Sequence, residues 1–383
     1  MLDSFDVALY SLVLAHLMRE FGMSEALGGL LNSFTLIASA GGGFLFGFVA
    51  DRIGRVRSLM ISILVYSVAS GACGLSSSVV QLAIFRFVLG LGMGGEWSAG
   101  AALVAETWPD KHRGKALGLM QSTYAIGEVF AAGVVGFVLP RFGWRSVFFV
   151  GVLPALLIVW IQRRVPEPQI WKLRESARSI RGSLRTMWRK DLRRNGIIAT
   201  TMNASSMFGY WGLFTWIPAF LSLPVDHGGR GLSLITTTAW LMVMGIGKWL
   251  GYVVFGFAAD AFGRRKTYVS YLLIAAALVP MYAVSHTPIW LLILGPFVAF
   301  FGTGYFSGFA AIVAELFPTE IRATAMGTSY NVGRGASSLA PFIIGLLAVR
   351  FGLGPSFFLL AGAFFLAALL ALLLPETMGR QLE

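Results

Sequence analysis

GFVADRIGRVRS at residues 47–58 and GFAADAFGRRKT at residues 256–267 are two versions of one string, and each joins the end of one apolar run to the start of the next. In both, the glycines allow a tight turn and close approach of helices. An aspartate, Asp51 or Asp260, stands where it can cap or pair with a helix end, and basic residues follow. Two further pairs keep the same spacing. LVAETWPDKHRGKALG at 103–118 answers IVAELFPTEIRATAMG at 312–327, and Arg141-Phe142-Gly143 answers Arg350-Phe351-Gly352. All three pairs lie 209 residues apart (47 to 256, 103 to 312, 141 to 350). Three matches in one register predict a duplicated unit, hence two halves of like topology.

Composition says what solvent those halves face. Of 383 residues, 56% are hydrophobic and 13% are charged, and the mean hydropathy is +0.74. A soluble domain carries about 25% charged residues, so this chain lacks the charge to clothe a water-facing surface, and lipid is the natural solvent. Spans of about 20 apolar residues are expected near 5–21, 27–50, 58–75, 79–105, 114–139, 144–162, 195–222, 232–257, 268–285, 289–314, 323–349 and 353–374. The fold class expected is therefore all-α membrane, with twelve transmembrane helices in two pseudo-symmetric six-helix bundles. The expected divisions are 1–162 for the first bundle, 163–194 for a basic linker and 195–383 for the second bundle. The acidic start MLDSFD does not read as a secretory leader. A first span normally has a cytoplasmic lead-in, so an internal start at Met1 or a truncation is an expectation here.

The basic residues behind the net charge of +12 sit mostly in short clusters between the apolar runs. Arg52, Arg55 and Arg57 follow the second span; Lys111, Arg113 and Lys115 the fourth; Arg264, Arg265 and Lys266 the eighth. Links such as 75–79 and 285–288 are nearly uncharged. Basic loops mark the cytoplasmic side, so both termini are expected there, in a plasma membrane or bacterial inner membrane. The linker, with Arg163 through Arg194, admits two readings: a nucleic-acid surface, or a segment held at anionic lipid. No aromatic or base-reading pattern accompanies the charge, which favours lipid and no nucleic acid. The single cysteine, Cys73, supports no disulfide or metal framework.

The 47–58 string, with its G-x-x-x-D-R-x-G-R pattern, resembles the signature loop of the major facilitator superfamily; in the second copy Ala261 replaces the first arginine. The resemblance covers essentially the whole chain and implies alternating access by rocking of the halves. It also implies gating charge networks. Glu106 and Arg113, with Pro109 between, recur as Glu315, Pro318 and Arg322. Asp51, Arg52, Arg55, Asp260 and Arg264 belong to the same expected set, together with Arg86, which is similar to the family's fourth-helix arginine motif. Local capping and headgroup anchoring are the alternative for these charges. GLGMGG at 90–95 also looks like a dinucleotide fingerprint, but without a preceding strand it reads as helix packing.

Charges that break the repeat are more informative, because a charge in mid-span costs about 2.5–3.5 kcal/mol. Asp3, Asp6, Glu96 and Glu128 lie in the first half. The positions 209 residues on from the last three are Thr215, Tyr305 and Ser337. Lys248 and Arg334 lie in the second half, opposite Ser39 and Ala125. Acids thus sit in one half and bases in the other. A carboxyl desolvated in a membrane can cycle a proton near neutral pH, whereas arginine keeps its proton and its planar fork suits a carboxylate. Asp6, Glu96, Glu128 and Asp3 are the expected proton carriers, and Arg334 and Lys248 the expected anion ligands. Structural ion pairs across helices are the alternative for the acids.

The seventh span, NASSMFGYWGLFTWIP, partly resembles a motif of carboxylate permeases: Asn203, Ser206 and Thr215 keep its spacing, while Met207, Gly209 and Tyr210-Trp211 depart from it. YNVGRGASSLAPF at 330–342 and GMGGEWSAG in the fourth span look like the sialate/lactate-type and aromatic-acid-type metabolite:proton symporters. Asn203, Tyr210, Trp211, Tyr305 and Asn331 accordingly join Arg334 and Lys248 as expected substrate contacts. VPEPQIW at 165–171 is similar to the sugar porters' PESPRW, which keeps a sugar open as substrate. No Walker, zinc-protease or nucleophile-elbow motif is present. The expectation is a monomeric, cofactor-free, non-enzymatic secondary transporter of a small organic anion with protons. A sugar porter, a drug exporter and a membrane sensor on the same fold remain open.

Overall fold

A computed structural model describes residues 2–107, 110–167, 189–225, 228–317 and 319–376, without the side chains of some residues within its helices. Among them the chain is entirely helical. The helices are α1 (Leu2–Phe21), α2 (Glu25–Ile53), α3 (Arg55–Gly74), α4 (Val79–Thr107), α5 (Asp110–Val150), α6 (Leu156–Arg164), α7 (Lys190–Ser222), α8 (Leu234–Phe262), α9 (Arg264–Val284), α10 (Pro288–Gly304), α11 (Phe306–Leu316), α12 (Thr319–Ser337), α13 (Ala340–Phe351) and α14 (Leu353–Leu372). Nine apolar segments among the described residues are long enough to cross a bilayer, and one of them, Leu119–Arg164, runs for 46 residues and accommodates two crossings. The α5 helix reverses at Gly143, whose φ of 76° and ψ of 173° lie outside the helical region. The α1 and α7 helices fall outside that set because they carry more charged and polar side chains. Counted so, twelve crossings form two bundles of six.

The repeat is legible in the backbone. Ser24 caps α2 by accepting from the Leu27 amide, and Ser233, 209 residues on, caps α8 by accepting from Thr236. Gly54 and Gly263 both turn at positive φ (111° and 105°) between consecutive helices, and Gly143 and Gly352 do the same at 76° and 81°. At these φ and ψ values a side chain would be strained, so glycine is required. The Glu167 carboxylate then accepts the amides of Arg55, Val56 and Arg57 at 2.8, 3.0 and 3.2 Å, closing the start of α3. Glu376 does the equivalent for α9, accepting from the Arg265 amide at 3.3 Å. A carboxylate over a helix start answers both the orphan N–H groups and the dipole.

Two expected spans are not continuous. The tenth breaks at Tyr305, between α10 and α11, and the eleventh breaks at Ser338–Leu339, ahead of Pro341 at the first turn of α13. Proline has no N–H to give, and in a first turn that costs no helix hydrogen bond. GLGMGG runs within α4 with no strand before it. An added Cβ at Gly90 or Gly94 would lie 2.3 or 2.0 Å from the Thr35 or Ser39 carbonyl oxygen of α2. These glycines therefore serve helix contact.

The outside of the molecule is apolar. Phe44, Phe130, Phe137, Trp160 and Phe257 are exposed, the last at 75%. Meanwhile Asp6, Arg86, Lys248 and Arg334 are buried. This inversion is what lipid as solvent demands. The bundles meet along α1 with α7, α2 with α12 and α13, and α5 with α8. At the end where α2 begins, the backbones touch. A Cβ on Gly29 would lie 2.1 Å from the Pro341 oxygen, and one on Gly345 would lie 2.2 Å from the Glu25 oxygen. The Phe342 amide donates to Ser33 Oγ at 3.2 Å across the same contact. That end is closed.

Candidate functional site

Between the bundles lies a cavity of about 60 Å³, bordered by Val7, Ala8, Ser11 and Leu12 of α1, Glu128 of α5, Tyr210, Trp211 and Phe214 of α7, and Met244 and Lys248 of α8. A dry cavity of about 150 Å³ holds benzene, so in this conformation the space is well below the size of one known to take an aromatic ring. One wall is aromatic. The Tyr210 ring lies 5.0 Å from Trp211, Phe214 and Phe306.

The acid and the base on this cavity meet. Lys248 Nζ donates to Glu128 Oε2 at 2.5 Å, with the two side chains 7% and 16% exposed. Tyr210 donates its hydroxyl to Glu128 Oε1 at 3.2 Å. The ammonium also sits 3.7 Å from the centre of the Phe214 ring, a cation–π contact. Glu128 belongs to the first bundle and Lys248 to the second, so the pair ties the halves together through the wall of the cavity. Removing one partner of such a buried pair costs about 3–5 kcal/mol, because the other charge is left alone in a low dielectric.

Behind Trp211 stands Arg334 of α12, its guanidinium carbon 5.8 Å from the indole ring. Arg334 is 6% exposed and forms no ion pair among the described residues. Its Nε and the Trp211 Nε1 are both buried donors without an acceptor there. Orphaned buried donors are rare and costly; two on neighbouring side chains mark a place suited to an anion.

A second polar link joins the bundles beside the cavity. Arg86 Nη2 donates to Asn32 Oδ1 at 2.9 Å, and Asn32 Nδ2 donates to Thr215 Oγ1 at 2.8 Å. The Arg86 guanidinium lies 3.6 Å from the centre of the Tyr10 ring. Arg86 therefore sits in the bundle interior, away from the loop charges with which it was grouped.

The other expected site residues fall as follows. Asp6 turns from the cavity and accepts from Ser70 Oγ of α3 at 2.8 Å. Glu96 is half-buried on α4 and does not border the cavity. Tyr305 lies beneath the aromatic wall, stacked 4.6 Å from Phe306 and donating to the Ser206 carbonyl. Asn203 donates to the Ser329 carbonyl and Asn331 to the Gly327 carbonyl of its own helix, so both amides serve backbone in this conformation. Of the charged loops, Arg264 lies 2.5 Å from Asp260 and 3.5 Å from Glu315. Arg52 is exposed. Arg55, for which headgroup anchoring was the alternative to gating, is buried and donates to the Ala50 carbonyl at 2.8 Å; the negative end of α2 supplies a nearer partner than lipid. The side chains of Asp3, Asp51, Glu106, Arg113 and Arg322 lie outside the described residues.

The sequence reading passed over Asn32 and Phe214. Asn32 had a signal, an amide in the middle of an otherwise apolar run. Phe214 had none, since it is one of 31 phenylalanines. Glu167 and Glu376 also had a signal, the Pro-Glu steps at 166–167 and 375–376, in the 209-residue register.

Comparison with known proteins agrees with this architecture. The family model described as Major Facilitator Superfamily matches residues 1–247 and 226–381. The cis,cis-muconate transport protein of Acinetobacter baylyi is 33% identical over 97% of this chain and 90% of its own length. The sialic acid transporter of Escherichia coli is 28% identical over 97% and 90%. The crystal structure of a D-xylose-proton symporter superposes with a TM-score of 0.80 at 21% identity, covering 100% of this chain and 97% of that one, and so shares the fold. With its duplicated six-helix bundles and the cavity between them, the chain belongs to the Major Facilitator Superfamily as a secondary transporter related to the organic-acid and sialate carriers, and it is not an enzyme.

Proposed function

We propose that the protein takes up a small organic anion together with protons, by alternating access. The observation that carries this reading is a pair of orphaned donors: Trp211 Nε1, in the lining of an aromatic cavity that also presents Lys248, and Arg334 Nε, directly behind Trp211. Buried cationic donors facing an aromatic wall suit a carboxylate on an apolar, planar body. The relatives named for muconate and sialic acid point to the same chemical class. Residues 1–162 and 195–383 form the rocking units in this reading, with 163–194 joining them at the cytoplasmic face and both termini on that side. The end closed by α2 against α13 is then the outer end. Opening the opposite end enlarges the cavity to admit a ligand, and the protein works as a monomer in the cell's plasma membrane.

The test is uptake into proteoliposomes. Labelled benzoate, cis,cis-muconate, lactate, sialic acid and xylose are offered with and without an inward proton gradient. Uptake of an acid that rises with the gradient, and falls about 10- to 100-fold in Arg334→Ala, is the expected result; that fall is what a charged hydrogen bond of about 1.5–3 kcal/mol implies. Uptake of xylose alone would overturn the reading.

A further inference from the structure

We infer that Glu128 is a tethered stand-in for a substrate carboxylate, and that the site is built for two-headed anions whose second carboxylate enters only when Glu128 takes a proton. The inference rests on the anion reading above and deepens it. Two cationic positions flank the Tyr210–Trp211 pair. Arg334 lies on the Trp211 side, with orphaned donors and no acid of its own among the described residues. Lys248 lies on the Tyr210 side, 5.3 Å from that ring's centre, and already holds a carboxylate, that of Glu128.

Charge counting follows from the geometry. With Glu128 ionised, Lys248, Glu128 and Arg334 sum to one positive charge, which one carboxylate at Arg334 balances. With Glu128 protonated, the sum is two, which a dicarboxylate balances. A second carboxylate approaching Lys248 while Glu128 is ionised would place two anions on one ammonium in a low dielectric, an arrangement that costs several kcal/mol. The proton goes to the Glu128 carboxyl, the Lys248–Glu128 contact opens, and the substrate's carboxylate takes the vacated place on Lys248. Because that contact ties α5 to α8, its replacement by substrate also loosens the bundles from each other.

Around Glu128 stand Lys248 from α8 and Tyr210 from α7. Tyr124 of α5 and Tyr252 of α8 lie in turn beside Tyr210. The α1 helix presents Val7, Ala8, Ser11 and Leu12 to the cavity, with Asp6 turned to Ser70 of α3. On α4, Arg86 is engaged with Asn32. Lys248 is thus the partner that Glu128 loses when it is protonated.

The experiment is equilibrium binding to purified full-length protein by titration calorimetry from pH 6 to 8, with benzoate and terephthalate as probes. They differ by one carboxylate, and both are ionised throughout, since free carboxyl groups titrate near pH 4. Terephthalate affinity is expected to weaken with rising pH, by up to about tenfold per unit where one proton enters with the ligand. Benzoate affinity should change far less. Glu128→Gln should bind terephthalate without that slope and more tightly than wild type at pH 8. The neutral double variant Glu128→Gln/Lys248→Met, which leaves no charge stranded, should lose the slope and bind terephthalate more weakly. Persistence of the slope in either variant overturns the inference, as does loss of terephthalate binding in Glu128→Gln. Benzoate binding by wild type without terephthalate binding overturns it too, while leaving the anion reading intact. Binding of neither probe, together with uptake of no other acid, sinks both.

Discussion

The residues that the two halves share and the residues that they do not share sit in different places and do different work. The shared ones, Gly54 with Gly263, Gly143 with Gly352, Ser24 with Ser233 and Glu167 with Glu376, stand at helix ends, where they turn or cap the chain. The unshared ones, Glu128, Lys248 and Arg334, stand in the interior between the halves. A duplicated chain needs its turns twice but its ligand once. Symmetry therefore marks scaffold, and departure from symmetry marks function.

The comparison is sharpest where the unshared charges meet. Lys248→Met alone strands the Glu128 carboxylate and is expected to destabilise the protein by about 3–5 kcal/mol, read as a fall in thermal unfolding temperature in detergent. The double variant with Glu128→Gln should recover most of that loss, since a neutral pair of similar volume has no charge to desolvate. If Lys248→Met unfolds like wild type, the pair is hydrated, and its claim on function weakens.

The shared glycines come next. Gly143→Ala and Gly352→Ala should each cost about 1–3 kcal/mol, the strain of a side chain at that φ and ψ. An added Cβ at Gly143 meets nothing within 4 Å, so the loss there reports backbone strain free of any clash. Similar losses in both halves, with ligand affinity unchanged, fit a scaffold role. A large change in affinity from either would erase the division drawn above.

The smallest expected effect is at the caps. Glu167→Gln should cost about 1 kcal/mol, the ordinary worth of a helix cap. Glu376→Gln should cost no more than that. A gain of stability in either variant would show that the carboxylate is merely near the helix start.

The turn glycines were legible because turns are local and the register of 209 repeats them, whereas the Pro-Glu steps that cap α3 and α9 carried the same local signal and went unread. The sequence disclosed which charges are exceptional, because an ionised group is conspicuous in an apolar run. It did not disclose which of them meet. Glu128 and Lys248 are 120 residues apart, in different bundles. Their helices face protein on one side and lipid on the other, both apolar, so no polar stripe reveals which side points inward. Asp6 and Glu128 look alike in sequence for that reason, yet one faces Ser70 of its own bundle and the other faces the partner bundle. Breaks such as the one at Tyr305 were hidden too, since apolar character continues across them.

Glu167 lies just beyond α6, and Glu376 just beyond α14, so the chain leaving each bundle's last helix returns to fasten the joint between that bundle's second and third helices. Each half thereby carries its own clasp, and neither borrows from the other to close itself. A chain severed between residues 168 and 188 leaves both clasps whole. Two separately translated pieces should then find each other in the bilayer as complementary fragments, and their joint transport should return without a covalent bridge.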